Sequence, residues 1–178
     1  MATKPKVIIL RVLNDHRIMT IATNRPDGWP QATIVGYVND GFLLYCFVGR
    51  NSQKYANIQR DSRVSVAIGS DAPRPLDIKG LSLSGRAYIV TELGEFEYVS
   101  RLRIKRYPEY AALPPVILRE DPSPRIAPQP SPKDVCLLRI TPEIISVLDY
   151  SEDFGRAHLV TFSDNDLDLH LRTERQSW

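Results

Sequence analysis

Two tight turns divide the first part of the sequence into short strand-like segments. Residues 26–28 (Pro-Asp-Gly) follow the apolar segment 18–23, and residues 39–41 (Asn-Asp-Gly) follow the segment 31–38. Such sequences favour reverse turns, because proline presets φ and glycine accepts a positive φ. The next segment, 42–48, is apolar and uncharged, which is typical of a strand buried on both faces. We therefore expect three antiparallel strands in succession.

Further strand-like segments follow, and helical patterns interrupt them. The strand-like segments are 63–68, 79–91, 135–141, 143–148 and 157–162, with Pro142 separating the third from the fourth. Helices are expected over 6–13 and 92–106, although four β-branched residues in the first leave a strand open there. Many short strands with helical excursions favour a mainly β protein, and a closed antiparallel barrel rather than a parallel sheet.

The length of 178 residues favours a single domain over 1–178, with a core of about 16–165. Seven prolines lie in the nineteen residues 114–132, which excludes a sheet interior and predicts an extended loop. The last segment, 163–178, is charged and has no period, so we expect a tail outside the core.

Composition excludes several classes of function. The net charge is only +2, with acids and bases interspersed, so no nucleic-acid partner is expected. The two cysteines, Cys46 and Cys136, lie in apolar runs without metal-ligand spacing, and the three histidines are scattered, so we expect buried thiols and no metal site. The apolar run near the N-terminus is short and broken by Arg11, which predicts a cytoplasmic protein that does not bind a membrane.

The junction between the buried strand and the next helix carries an unusual charge pattern. Ser52 or Asn51 is suited to cap the helix, while Arg50 precedes the cap and Lys54 lies in the first turn. Cations are unfavourable at this positive end of the helix dipole, by roughly 0.3–1 kcal/mol each. An anion would reverse that sign, so the pattern indicates a phosphate site as readily as two solvated side chains.

The order of these motifs resembles the pyridoxamine 5′-phosphate oxidase-like family of FMN-binding proteins. The residues that carry the resemblance are IATNRPDGWPQATIVGYVNDGFLLYCFVGRNSQKYANIQRDSRVSVAI, followed by KGLSLSGRA. They show an Asp-Gly-x-Pro turn, an Asp-Gly turn, an aromatic strand, Ser-x-Lys, Asn-Ile in a helix, Arg-Val-Ser-Val and Gly-x-Ala, over about 18–90. The resemblance implies a six- to seven-stranded antiparallel split β-barrel with peripheral helices.

The resemblance also implies a cofactor site and a partner. Ser52 and Lys54 would bind the FMN phosphate, with Arg50 and Asn51 as helpers in the same turn, and the isoalloxazine ring would lie along the strand of Thr33 and Val35. A homodimer with the cofactor at the subunit interface is implied. True pyridoxamine phosphate oxidases carry an Arg and a Lys on that strand, whereas this chain has QATIVG, so activity on pyridoxamine phosphate is not expected.

The implied function is that of an FMN-dependent oxidoreductase acting on a small molecule. The alternatives are a deazaflavin-dependent reductase and a non-catalytic flavin- or haem-binding module, since the sequence shows no obligatory general acid or base and catalytic residues are unknown. Residues 149–155 (DYSEDFG) form a polar and aromatic loop. Its Tyr150 and Phe154 would either close the pocket over the flavin or pack on the end of the barrel, with Asp149 at a wet rim.

Overall fold

A computed structural model describes residues 4–69, 72–110, 134–151 and 157–163. This part of the chain contains three α-helices and eight β-strands. The helices are α1 (Lys4–Asp15), α2 (Gln53–Arg60) and α3 (Leu93–Arg106). The strands are β1 (Ile18–Asn24), β2 (Pro30–Gly36), β3 (Val38–Asp40), β4 (Leu43–Gly49), β5 (Arg63–Gly69), β6 (Lys79–Ile89), β7 (Val135–Asp149) and β8 (Ala157–Thr161).

All strand pairs are antiparallel and form one curled sheet. The order along the sheet is β2-β1-β5-β6-β7-β4-β3, and β8 pairs with β7. In the described residues β2 and β3, the two ends of this path, do not pair with each other. The mainly β split barrel is confirmed, and the closed barrel that the strand pattern alone favoured is wrong, because the ladder is interrupted between its two end strands.

Side chains on one face of the sheet fill the core. Met19 and Ile21 of β1, Val66 of β5 and Leu83 of β6 point inward and are almost fully buried. The segment 6–13, for which both a helix and a strand were considered, forms helix α1. Its apolar residues repeat at helical spacing, and Ile9, Val12 and Leu13 are buried in the same core.

The segment 31–38 is two strands rather than one. The chain leaves β2 at Gly36 and enters β3 at Val38, so Tyr37 spans the step between the two ends of the sheet. The buried Tyr37 hydroxyl donates to the Leu13 carbonyl over 2.9 Å, and burial raises the pKa of that hydroxyl. This tertiary contact lies at a break that the strand-like sequence does not reveal.

The segments 135–141 and 143–148 form one strand, β7, which runs through Pro142. The register shifts by one residue between Ser84 and Gly85 of β6, where Gly85 lies opposite Pro142. A Cβ atom on Gly85 would lie 2.3 Å from the Thr141 carbonyl oxygen. The expected break at Pro142 is therefore wrong, because a bulge opposite a glycine accommodates the proline inside a continuous strand.

The start of the aromatic loop differs from the expected wet rim. Asp149 is buried, and its carboxylate accepts hydrogen bonds from Lys79 Nζ at 2.7 Å and from the Ser151 hydroxyl at 2.6 Å. The Tyr150 backbone N–H donates to the Ile78 carbonyl. Phe154, the proline-rich loop 114–132 and the tail from 164 onward lie outside the described residues, so the closing of a pocket by this loop stays a prediction.

Candidate functional site

The N-terminus of α2 is held by the hydroxyl of Ser52. Ser52 is the N-cap, since its Oγ accepts the Tyr55 N–H at 3.2 Å, and Asn51 is exposed beside it. The same hydroxyl donates its proton to the Gly49 carbonyl at 2.7 Å. Helix geometry leaves the N–H groups of Gln53 and Lys54 without intrahelical acceptors. At this turn α2 therefore offers free backbone N–H groups to an anion, beside a Ser52 hydroxyl that bonds the Gly49 carbonyl. The assignment of Ser52 to the FMN phosphate stays a prediction.

Lys54 lies half-buried in the first turn of α2, without a carboxylate partner among the described residues. Burial lowers the pKa of its ammonium group, because the charged form loses part of its hydration. A half-buried cation at the positive end of a helix is only partly hydrated, and Lys54 has no described acid to stabilise it. An anion bound at this turn would therefore stabilise both the Lys54 ammonium group and the N-terminus of α2.

Arg50 lies at the same turn and is positioned by α2. Its guanidinium donates to the Tyr55 hydroxyl over 3.3 Å and lies 5.9 Å from the centroid of the Tyr55 ring. The Arg50 backbone N–H donates to the Asp134 carbonyl, which fixes the turn to the start of β7. Arg50, Asn51, Ser52 and Lys54 thus belong to one turn at the start of α2.

Two thiols lie buried behind this turn. Cys46 of β4 and Cys136 of β7 are each 2% exposed and unbonded to each other. Burial raises the pKa of the Cys46 thiol to about 12, with Lys54 acting in the opposite direction, and burial also raises the pKa of the Cys136 thiol. Both groups are neutral at physiological pH, so they pack in the core as small apolar side chains and do not act as nucleophiles.

The edge strand β2 carries the other two residues of the expected site. Gln31, Thr33 and Val35 share its half-buried face, opposite Thr23, Ile21 and Met19 of β1. The Oγ1 atom of Thr33 is shielded from solvent and has no hydrogen-bond partner in the described part of the chain. A buried hydroxyl without a partner is costly, so this one indicates a polar group that the described part of the chain does not supply.

The structure links the turn and the edge strand through Asn57, which belongs to the Asn-Ile motif of the sequence but was not predicted to be a site residue. Asn57 is buried on α2, and its Nδ2 donates to Thr23 Oγ1 at 3.0 Å and to Gln31 Oε1 at 3.2 Å. Gln31 shares a face with Thr33 and Val35, so this hydrogen bond links α2 to that same face of β2. The available signal was a lone amide on the apolar side of α2, next to Ile58.

A shallow cleft of about 470 Å³ lies at the opposite end of α2 from this turn. Its lining is basic and comprises Asn24, Arg25, Pro26, Gly28, Arg60, Asp61 and Arg63. The three guanidinium groups are engaged, with Asp27, with the Asn24 carbonyl and with Asp61. The Arg63 and Asn24 hydrogen bonds hold the pKa of Asp61 well below its usual range. These three guanidinium groups thus have hydrogen-bond partners within the described residues, whereas the ammonium group of Lys54 has no described carboxylate partner.

The described residues show neither a metal cluster nor a membrane span. No three His, Cys, Asp or Glu side chains in this part of the chain are placed to hold a metal ion. His16 bonds the Val12 carbonyl through Nδ1 at 2.8 Å, and His158 is exposed on β8. None of the described helices is long and apolar enough to cross a bilayer.

Comparison with protein-family models assigns the chain to a family. The family model for pyridoxamine 5′-phosphate oxidase matches residues 9–149, well over half of the chain. The chain belongs to the pyridoxamine 5′-phosphate oxidase family. The match spans both halves of the site, β2 and the turn at α2, and the resemblance noted in the sequence is confirmed. No curated protein matches the chain by sequence.

Solved structures share the fold of this family member at low identity. A conserved hypothetical protein from Mycobacterium tuberculosis is 24% identical, with 93% of this chain and 95% of that one covered and a TM-score of 0.62. General Stress Protein 26 from Bacillus anthracis is 20% identical, with 90% and 100% covered and a TM-score of 0.60. HutZ, a heme storage protein from Vibrio cholerae, is 19% identical, with 80% and 92% covered and a TM-score of 0.56. At these identities the likeness concerns the fold alone.

Proposed function

We propose that this chain is an FMN-binding flavoprotein, an oxidoreductase acting on a small organic molecule. The observation that carries the proposal is the half-buried Lys54, which has no described carboxylate partner and lies at a helix N-terminus that already favours an anion. A phosphate monoester would accept hydrogen bonds from the Gln53 and Lys54 N–H groups and pair with the ammonium group. Arg50 and Asn51 flank the same position.

The remainder of FMN would lie along the face of β2 that carries Gln31, Thr33 and Val35, which α2 contacts through the Asn57–Gln31 hydrogen bond. The Thr33 hydroxyl has no partner among the residues that the structure describes, and a flavin ring offers both donors and acceptors along its polar edge. Val35, on the same face, offers an apolar contact to a flat aromatic ring. A phosphate at one end of the site and a flat, partly polar ring at the other describe FMN better than inorganic phosphate or an apolar ligand.

The cofactor would supply hydride chemistry by itself. The chain's own residues bind and orient it: Lys54 neutralises the phosphate, and Thr33 fixes the ring edge. The buried carboxylates of the described region are engaged by other side chains, since Asp149 pairs with Lys79 and Asp40 accepts a hydrogen bond from the Tyr98 hydroxyl. A function that needs only a positioned flavin and a substrate suits this arrangement.

We also propose that the protein is a homodimer that buries the outer sheet face. This face is formed by two rows of outward-pointing residues that follow the strand register. The first row is Ile34, Thr20, Ala67, Ser82, Ser146 and Leu159. The second row is Ala32, Ala22, Ser65, Ser84, Ile144 and Thr161.

The composition of the outer sheet face favours a second copy of the chain. Charged residues make up 25% of the sequence, so about three would be expected among twelve surface positions, and there are none. Ile34 and Leu159 are each 72% exposed on it. A small-residue, uncharged surface can pack closely against its own symmetry mate without desolvating charge. The face includes β2, so burying it would place the cofactor strand at the interface.

Titration of the apoprotein with FMN and with riboflavin tests the cofactor. FMN is expected to bind more tightly than riboflavin, and Lys54→Ala should weaken FMN binding by about 1.5–3 kcal/mol, which is about 10- to 150-fold. Arg74→Ala removes the same charge from a side chain 80% exposed and paired with Asp77, and should leave both affinities unchanged. Equal affinity for FMN and riboflavin would refute the phosphate assignment.

A heme-binding module is the second candidate, because HutZ shares the fold and is a heme storage protein. A deazaflavin cofactor is the third, since its ring would contact the same strand. Parallel titrations of the apoprotein with hemin and with a deazaflavin decide among the three. Tighter binding of either ligand than of FMN would replace the flavin. If FMN binds, anaerobic mixing with reduced nicotinamides should bleach the bound flavin faster than free FMN, and no acceleration would favour a non-catalytic flavin module.

A further inference from the structure

Asn57 is a fully engaged buried amide that joins three elements of the fold. Its side chain is almost completely buried. The Oδ1 atom accepts a hydrogen bond from Gln53 Nε2 at 2.9 Å, and the two Nδ2 hydrogens go to Thr23 on β1 and Gln31 on β2. Each donor has its own acceptor, so the side chain is satisfied in a single orientation.

The two strand partners of Asn57 are themselves paired. Thr23 and Gln31 face each other in the β1–β2 register, and Thr23 is only 1% exposed. Asn57 therefore contacts one cross-strand pair of the β1–β2 hairpin, Thr23 and Gln31. Gln31 precedes Thr33 by two residues, so the Thr23–Gln31 pair lies next to the Thr33 hydroxyl on the same face of β2.

The helix side of this contact leads to the phosphate turn. Lys54 lies three residues before Asn57, one helical turn away on the same side of α2. Moving α2 along or around its axis would displace Lys54 and the free N–H groups relative to β2. An apolar side chain at position 57 would anchor the helix without selecting one register, whereas directed hydrogen bonds select one.

We propose that Asn57 is a positioning residue that sets the separation between the anion-binding turn and the ring-binding strand β2. The inference rests on the proposed function. A ligand that spans two subsites gains from both only when their spacing lets it engage them together. Asn57 thus governs how strongly the phosphate contributes to binding, and not the ring contacts themselves.

Other contacts keep α2 docked when this amide is altered. Ile58 is buried in the core, and Arg60 donates to the Asn24 carbonyl at 2.8 Å. Asn24 in turn donates to Asp61 Oδ2 at 2.9 Å, just after the helix. Variants at the amide contact are therefore expected to shift the helix and not to detach it.

The test uses two variants. Gln31→Leu removes the acceptor on β2, and Asn57→Leu removes all three hydrogen bonds of the Asn57 side chain. Gln59→Leu is the matched control, since Gln59 is exposed on the same helix and, among the described residues, its side chain bonds only the Tyr55 hydroxyl. The readout is the ratio of FMN to riboflavin affinity, with thermal unfolding recorded in parallel. Gln31→Leu should lower the ratio by about 3- to 10-fold, the effect of one neutral hydrogen bond. Asn57→Leu should lower it further, and Gln59→Leu should leave it unchanged.

The outcomes separate this inference from the proposed function. A purely structural role would weaken FMN and riboflavin binding by the same factor, leaving the ratio unchanged, and that result would overturn the inference while the FMN assignment stands. A wild-type protein with no preference for FMN over riboflavin would overturn both.

Discussion

Asp149, buried at the end of β7, accepts a 2.7 Å hydrogen bond from Lys79 Nζ at the start of β6. Burial alone would raise the pKa of Asp149, but the hydrogen bonds from Lys79 and Ser151 outweigh it, so the pKa lies below its ordinary value of 3.8. The folded-state pKa is thus below the unfolded one. The contribution of the pair to stability is present above pH 3.8 and is lost as the pH falls below that value.

Lys79→Met should lower the free energy of unfolding by about 1–3 kcal/mol at pH 7, because it leaves a buried carboxylate without its cation. The difference from wild type should shrink as the pH falls below 3.8, where the carboxyl of the wild type also becomes protonated. Urea unfolding at several pH values measures both. Arg74→Met, which removes an exposed ion pair, is the control and should have little effect. A difference independent of pH would contradict the prediction.

Gly85→Ala should destabilise the protein by about 2–3 kcal/mol, because the added Cβ would meet the Thr141 carbonyl oxygen at the bulge. Gly94→Ala provides the opposite case. A Cβ on Gly94 meets nothing within 4 Å, and the residue lies in α3, so alanine should stabilise by up to about 0.5–1 kcal/mol. Chemical unfolding of the two variants checks the pair, and equal effects would show that the bulge tolerates a side chain.

Ser52→Ala should lower the free energy of unfolding by about 0.5–2 kcal/mol, since it removes the cap of α2. Its effect on FMN binding should be smaller than that of Lys54→Ala, about 0.5–1.5 kcal/mol, because the hydroxyl proton is already donated to Gly49. Ser52→Thr keeps the capping oxygen and serves as the control. A loss of FMN affinity as large as that of Lys54→Ala, with unfolding unchanged, would show that the hydroxyl binds phosphate directly.

Ser82→Glu and Ile34→Glu should each prevent dimer formation, because they bury a carboxylate at the outer sheet face. Sedimentation at micromolar concentration should give a species of about 20.2 kDa for these variants and about twice that mass for the wild type. Arg101→Glu, on the exposed side of α3, should remain dimeric. A wild-type protein that sediments only as the smaller species would refute the homodimer.

Local sequence determined most of the elements of this protein. The turn residues at 26–28 and 39–41, the alternation in 63–68 and the helical spacing after Ser52 all describe short-range geometry, and the structure places strands and α2 accordingly. The N-cap at Ser52 and the burial of both thiols also followed from neighbours along the chain. Such features depend on φ, ψ and side-chain period, which a few consecutive residues specify.

Only the tertiary structure decided features that depend on a partner far along the chain. Pro142 stays within β7 because Gly85, on another strand, has no side chain. Asp149 is buried because Lys79, seventy residues earlier, supplies its cation. Asn57 joins the two halves of the candidate site because it reaches Thr23 and Gln31, residues that only strand pairing brings together. The periodicity of the sequence carries no information about such contacts, because each depends on which strands lie next to each other in the sheet.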